Sequence, residues 1–211
     1  LGLDGKKSSL FYEYVRILKE VKPKWFLLEN VKNKWADEMS RIIGVDYIEI
    51  NSNLFSPQSR QRYYWTNIPL SPLPLYNSEA IVDILEYNTD ERFYINKCGI
   101  EEYIKNCKIK EDISKNGLCR VFNLPKEFSS SRESDQRVYS INHKSPTLLA
   151  SASPIKISIN NRVRNLTPLE YERLQTIPDN YTYGFSNNQR YNMIGNGFTI
   201  KVIKHLLKNI F

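Results

Sequence analysis

The sequence lacks several features that would assign it to other classes of protein. It has only three cysteines, Cys98, Cys107 and Cys119, an odd number at spacings that fit neither a disulfide framework nor a zinc site. We therefore expect no metal site and a protein of the reducing cytoplasm. The longest apolar run lies around residues 25–28, far short of the roughly 20 residues that a membrane span needs. We therefore expect no membrane partner that depends on a spanning segment.

The composition that remains is that of a folded, basic protein. Of 211 residues, 41% are hydrophobic and 25% are charged, which suffices for one substantial domain or for a domain with a small appendage. Lys and Arg number 30 against 23 Asp and Glu, a net charge of +7. This excess favours a polyanionic partner, either nucleic acid or an anionic membrane surface.

The first third of the chain alternates helical and strand patterns. Apolar residues from Leu10 to Val21 recur at helical spacing after the potential capping residues Ser8 and Ser9, and Pro23 ends this helix. The apolar run that follows is typical of a strand buried on both faces of an α/β sheet, and it ends at Glu29 and Asn30. Polar residues at the carboxyl end of such a strand are well placed for chemistry. A helix near residues 36–43 and strands at 47–50 and 63–65 complete this region.

Prolines and a change in composition divide the remainder of the chain into segments. Three prolines between residues 69 and 74 indicate a boundary, and residues 76–160 are polar and short in period, with one possible helix near residues 100–107. Thr167, Pro168 and Glu170 form a capping box with a proline start, which predicts a helix that ends before Pro178. A last helix, rich in apolar residues from 202 to 210, is expected after the turn at 195–197.

Four motifs in one order resemble those of the cytosine-5 DNA methyltransferases of bacteria and phages. They are the Glu-Asn-Val motif at 29–31, the Gln-x-Arg-x-Arg motif at 58–62, the Arg-x-Leu-Thr-Pro motif at 164–168 and the closing Gly-Asn motif at 195–196. The resemblance covers both ends of the chain. It implies an α/β fold: the C-terminal portion of an S-adenosylmethionine-dependent, Rossmann-like methyltransferase sheet, with a small, mostly irregular or β target-recognition domain. The implied division is residues 1–75 for the catalytic domain, 76–160 for target recognition and 161–211 for closing helices that return to the catalytic domain.

Two parts of the family's pattern do not occur in this sequence. Members open with a Gly-rich donor-binding loop and a Pro-Cys nucleophile loop, and none of the three cysteines follows a proline. The sequence also starts with Leu1 in place of Met, so an upstream segment is expected to have been lost, cut or omitted. The resemblance then implies a partner, the N-terminal half, present as a separate chain or as a missing segment.

The family's chemistry suggests catalytic roles for three side chains. Such enzymes extrude a cytosine from double-stranded DNA, add a thiolate to carbon 6 and transfer a methyl group to carbon 5. Glu29 would hold a proton against ring nitrogen 3 as negative charge develops there. Arg62 would donate to the exocyclic oxygen of the flipped base, and Arg60 would orient its loop, the Glu29 carboxylate or a phosphate.

Further residues are assigned to the donor and to DNA by the same resemblance. Asn196 and Gly197 would complete one wall of the S-adenosylmethionine site, next to the start of a helix. Arg137 would read a base edge and Thr147 a phosphate. Gln58 is assigned to DNA as well, although bracing of its loop is the more direct interpretation. Generic attraction to the DNA backbone is expected of a wider basic set: Arg120, Lys126, Arg132, Lys144 and Lys156.

Three functions remain to be distinguished at this stage. The first is a subunit or fragment of a methyltransferase, acting in restriction and modification. The second is a catalytically inactive, methyltransferase-like module that binds DNA or regulates an enzyme. The third, a basic RNA-binding domain, would need aromatic stacking motifs on a sheet, and no such pattern is present in the sequence.

Overall fold

The computed structural model describes residues 9–108, 112–151 and 153–210. The fold is mixed α/β and consists of two compact units. Unit 1 comprises the described residues within Leu1–Asn51, Gln61–Pro72 and His205–Phe211, and unit 2 those within Ser52–Arg60 and Leu73–Lys204. None of the described helices is long and apolar enough to cross a membrane.

Unit 1 is built on a three-stranded sheet in the order β1, β3, β2. The strands are β1 (Leu27–Val31), β2 (Tyr47–Asn51) and β3 (Gln61–Thr66). Both outer strands pair antiparallel with β3, so β1 and β2 run parallel to each other. Helices α1 (Ser9–Val21) and α2 (Ala36–Ile43) pack on one face through a core that includes Phe11, Val15, Met39, Tyr63 and Trp65.

Two expectations for this region need correction. Strand β1 does not end at Glu29 and Asn30 but continues to Val31, because Glu29 pairs with Tyr64 and Asn30 with Tyr63 on β3. Its residues Leu27 to Asn30 are half-buried, not enclosed on both faces. The reason is topological: within the described chain, β1 is an edge strand with β3 as its partner. The sequence-based bounds of α2 are confirmed, whereas the capping residue Ser8 lies outside the described residues.

Unit 2 contains a five-stranded mixed sheet in chain order. Its strands are β4 (Asp112–Ile113), β5 (Cys119–Asn123), β6 (Arg137–Ser140), β7 (Lys156–Ile159) and β8 (Arg162–Asn165), of which β6 and β7 are parallel. The helices are α3 (Ile100–Asn106), α4 (Glu133–Gln136), α5 (Pro168–Leu174) and α6 (Asn187–Asn196). The last helix is α7 (Ile200–Leu206), and along the chain the division between unit 2 and unit 1 falls within it, after Lys204. Three-residue and four-residue 3-10 helices lie at Ser52–Leu54, Ile81–Ile84 and Glu91–Phe93.

The capping box expected at Thr167 is confirmed. The Thr167 hydroxyl accepts a bond from the Glu170 N–H at 3.2 Å, and the Glu170 carboxylate accepts one from the Thr167 N–H at 2.7 Å. These two bonds satisfy N–H groups that lack partners within a helix. They set the start of α5, which presents Tyr171 and Leu174 to the main core of unit 2.

The turn expected at 195–197 is wrong. Gly195 and Asn196 are the last residues of α6, and α7 begins only at Ile200. Helix α6 starts with a second capping box, in which Ser186 accepts from the Gln189 N–H. Asn196 therefore lies at the carbonyl end of a helix, where the helix dipole is negative, and not before the amino end of the next one.

Candidate functional site

The first candidate site lies in unit 1, on the face of the three-stranded sheet opposite α1 and α2. Side chains alternate along a strand, so Glu29 on β1 shares this face with Arg62 and Tyr64 on β3. Arg62 stands opposite Val31, one diagonal step from Glu29. Its Nε lies 2.9 Å from the Glu29 carboxylate, and the two side chains are only 13% and 20% exposed. Strand pairing thus brings the expected acid and one expected arginine into direct contact.

The hydrogen bonds of Arg62 leave part of its guanidinium available. Nε forms an ion pair with Glu29, and Nη1 donates a hydrogen bond to the Gln61 carbonyl at 2.8 Å. The Arg62 Nη2 atom forms no hydrogen bond and no ion pair with another described side chain of unit 1. A guanidinium held on two sides in this way can present its remaining donors in a fixed direction.

The second candidate site lies in unit 2 and centres on Gln58 and Arg60. Arg60 donates to the carbonyls of Leu148, Gly195 and Gly197 at 3.0, 3.1 and 3.0 Å. The side chain is buried, and three carbonyls that converge on one guanidinium fix the loop before β3 against the end of α6. These contacts are compatible with the expected orientation of the loop by Arg60, which stays a prediction.

Gln58 is completely buried, and its side-chain amide forms hydrogen bonds with other buried groups. Its Nε2 donates to the Gln175 side chain at 3.0 Å and to the Leu174 carbonyl at 3.3 Å, and its Oε1 accepts from the Leu148 N–H at 3.1 Å. This burial supports the bracing role over the DNA contact, which stays a prediction. Thr147 likewise donates its hydroxyl to the Ser59 carbonyl at 2.8 Å.

Sequence reasoning missed Gln175 as the centre of this network. Gln175 is also fully buried. Besides Gln58, it accepts from the Thr199 hydroxyl at 2.7 Å and donates to the Ile194 and Gly197 carbonyls at 3.0 and 3.3 Å. The signal was a polar residue directly after the apolar face of α5, a position that usually faces solvent.

The residues expected at the donor site differ in what they offer. Asn196 is exposed, and within the described chain its side chain makes no hydrogen bond. Gly197 is half-buried and its carbonyl is taken by Arg60 and Gln175. Asn196 therefore suits a polar ligand group, whereas the helix-dipole argument for both residues no longer applies.

The residues expected at DNA divide by exposure. Arg137 starts β6 and is held by Glu133 of α4, with Nε 3.0 Å and Nη2 2.5 Å from the two carboxylate oxygens. The hydrogen bond from Arg137 lowers the pKa of Glu133, so this carboxylate stays ionised. Two lysines expected to attract phosphates face inward. Lys144 donates to the Asn77 and Glu79 carbonyls, and Lys156 is buried. The other basic residues of that set are exposed: Arg120, Lys126 and Arg132.

The three cysteines are present as thiols and lie in unit 2. Cys98 is exposed, Cys107 half-buried and Cys119 buried. The described residues contain no group of three or more potential metal ligands.

A family model of the C-5 cytosine-specific DNA methylases matches residues 1–211, and the chain belongs to this family. Type II methyltransferase M1.ScrFI of Lactococcus lactis subsp. cremoris is 29% identical over 96% of the chain, and M.SsoII of Shigella sonnei is 25% identical over 99%. The chain spans 55% and 58% of these two relatives.

Solved structures show the same fold. A methyltransferase of Entamoeba histolytica superposes with a TM-score of 0.64 at 16% identity, covering 99% of this chain and 70% of that one. A putative DNA modification methyltransferase encoded within an Escherichia coli prophage gives 0.63 at 19% identity, covering 99% and 75%. The expected methyltransferase fold class is confirmed.

Proposed function

We propose that this chain is the C-terminal part of a DNA cytosine-5 methyltransferase that transfers a methyl group to carbon 5 of a cytosine flipped out of double-stranded DNA. The observation that carries the proposal is the ion pair of Glu29 and Arg62. A carboxyl group and a guanidinium donor, fixed side by side on paired strands, match the two groups on one edge of a cytosine ring, nitrogen 3 and the exocyclic oxygen.

Glu29 would stabilise the base as it is activated. Addition of a thiolate to carbon 6 places negative charge on ring nitrogen 3, and a proton shared from Glu29 lowers the barrier. Arg62 would keep the carboxyl group in place through Nε and offer Nη2 to the exocyclic oxygen. Once carbon 5 carries the methyl group, a base removes its proton and the thiolate leaves. Arg60 would act at a distance as a positioning residue, through the loop that leads into β3.

The reaction also needs a methyl donor and a thiolate nucleophile. S-adenosylmethionine supplies the methyl group when bound, and Asn196 is the residue that would contact it, through an exposed amide. The thiolate would belong to an N-terminal half, in the same chain or a separate one. The edge position of β1 supports such a partner, because an unpaired strand edge is a template for further pairing. Restriction and modification, as for the type II relatives, is the proposed setting.

Methyl transfer by matched variants tests the proposal. The chain is combined with its upstream half, in one polypeptide or by co-expression, and transfer of labelled methyl groups to duplex DNA is measured. Glu29→Gln is expected to reduce transfer by about 100-fold or more. Glu49→Gln is the control, because Glu49 pairs with Lys32 at 3.0 Å on the same sheet but with an exposed geometry; its activity should stay within about twofold.

The same assay distinguishes an active methyltransferase from the catalytically inactive alternative. Unchanged transfer by Glu29→Gln would remove Glu29 from the mechanism. DNA binding without transfer, in every pairing and with the intact Glu29, would instead identify a regulatory or binding module.

A further inference from the structure

In a charged cluster on unit 2, one carboxylate contacts two arginines. The cluster consists of Arg120 on β5, Glu133 on α4, and Arg137 and Tyr139 on β6. Arg137 and Tyr139 alternate along β6 and so share a face, and Tyr139 pairs with Arg120 across the strands. Glu133 bonds to both arginines, to Arg137 at 2.5 Å and to Arg120 at 3.4 Å.

Glu133 contacts Arg137 on one side of the guanidinium. Its two carboxylate oxygens receive Nε and one Nη2 hydrogen. The Nη1 end points away from this carboxylate. Because a guanidinium carries its donors in a rigid fork, fixing the Nε side also fixes the direction of the remaining N–H groups. The Arg137 side chain is 40% exposed, so these groups are accessible.

The position of the carboxylate argues against a purely stabilising role. An exposed ion pair contributes little to folding, and the helix α4 that carries Glu133 has only four residues. A carboxylate beside two arginines on a DNA-binding surface also repels phosphates and so weakens general attraction to DNA. Orientation of a base-reading side chain is an effect that can offset this loss.

We propose that Glu133 is a positioning residue that holds Arg137 for bidentate contact with a guanine in the major groove of DNA. The inference rests on the proposed function and on the assignment of Arg137 to a base edge. Guanine is the base that fits, because it presents two neighbouring acceptors, O6 and N7, to a donor-only fork. Adenine places an N–H donor beside N7 and would leave one donor of Arg137 opposed by another.

Selection from a duplex library tests this inference through binding. The chain, with its upstream half where that is needed for binding, selects duplexes with randomised bases around a fixed cytosine, and the bound pool is sequenced. The wild-type protein is expected to enrich guanine at one position, and Arg137→Ala to reduce this preference by about tenfold or more. Glu133→Ala should reduce the same preference by about threefold, with total affinity at low salt unchanged or higher.

A reduced guanine preference at unchanged or higher total affinity distinguishes positioning from damage to the fold, since misfolding lowers both. Glu133→Gln keeps an acceptor for Arg137 and should retain part of the preference. Glu91→Ala is the matched control, because Glu91 holds Arg162 in a similar exposed pair at 2.6 Å, and its selected pool should equal that of the wild type. An unchanged guanine preference in Glu133→Ala, or no guanine preference in the wild type, overturns the inference. Loss of methyl transfer in every pairing concerns only the proposed function, because selection reads binding alone.

Discussion

Arg164 and Glu170 form an ion pair at 2.6 Å in which neither side chain is more than 1% exposed. The Glu170 carboxylate also accepts the Glu86 and Thr167 N–H groups at 3.0 and 2.7 Å. One buried carboxylate thereby joins β8, the start of α5 and the segment after the 3-10 helix Ile81–Ile84. This network gives the Arg-x-Leu-Thr-Pro motif an architectural role.

Removal of one partner should strongly destabilise unit 2. Glu170→Ala leaves the Arg164 guanidinium buried without its counter-ion, and breaking such pairs costs about 3–5 kcal/mol. Urea unfolding followed by circular dichroism measures the change. The double variant Arg164→Met with Glu170→Leu should be less destabilised than Glu170→Ala, because it removes both charges together. Equal losses in the two variants would show that packing, not charge, governs this position.

A close approach between α6 and the segment at Leu149 predicts a second sensitive site. A Cβ on Gly195 would lie 2.5 Å from the Leu149 carbonyl carbon and oxygen and 2.6 Å from the Ala150 nitrogen. Backbone atoms cannot yield as a flexible side chain does, so Gly195→Ala should cost about 1–3 kcal/mol or more. It should also disturb the Arg60 bond to the Gly195 carbonyl.

Gly197→Ala is the matched control for Gly195→Ala. A Cβ at Gly197 would meet the Ile194 and Met193 carbonyl oxygens at 3.3 and 3.4 Å, a much milder contact than the 2.5 Å contacts at Gly195. Thermal unfolding of both variants is the measurement. A midpoint for Gly195→Ala as high as that for Gly197→Ala would contradict the described contact.

Local signals in the sequence predicted the elements whose cause is local. The start of α5 depends on its own capping residues, and the extent of α2 on its own apolar spacing, so both could be inferred. Helix α6 was missed, although Ser186 and Gln189 form a capping box, because its residues are mostly polar and present no apolar periodicity. This omission caused the misplacement of Asn196.

Long-range pairing explains what could not be inferred at the candidate site. The contact of Glu29 with Arg62 depends on β3 lying between β1 and β2, which no spacing along the chain reveals. The inward direction of Gln58 depends in the same way on Gln175, more than a hundred residues later. The motifs identified candidate residues, and the fold decides which of them are exposed and which are buried.

Arg60 gives a prediction that separates bracing from chemistry. A lysine is charged but has a single nitrogen, so Arg60→Lys cannot serve the Leu148, Gly195 and Gly197 carbonyls together. We expect a loss of about 1–3 kcal/mol in the free energy of unfolding, because buried carbonyls lose their donors. Arg62→Lys, on the sheet of unit 1, should affect stability less and methyl transfer more. The reverse order, measured by urea unfolding and labelled methyl transfer, would exchange the proposed roles of the two arginines.

Buried Lys156 predicts a stabilising substitution with a defined dependence on pH. Only 8% of the residue is exposed, and desolvation lowers the pKa of its ammonium group despite the attraction of Asp135. The unfolded chain therefore binds this proton more readily, and stability should rise as pH increases from the lowered pKa toward the ordinary value of 10.5. Lys156→Met should add about 1 kcal/mol at neutral pH and flatten that rise, whereas exposed Lys126→Met should do neither. Urea unfolding at pH 7 and at a more alkaline pH checks both effects, and a destabilised Lys156→Met would mean that the ammonium has a stabilising partner in the folded protein.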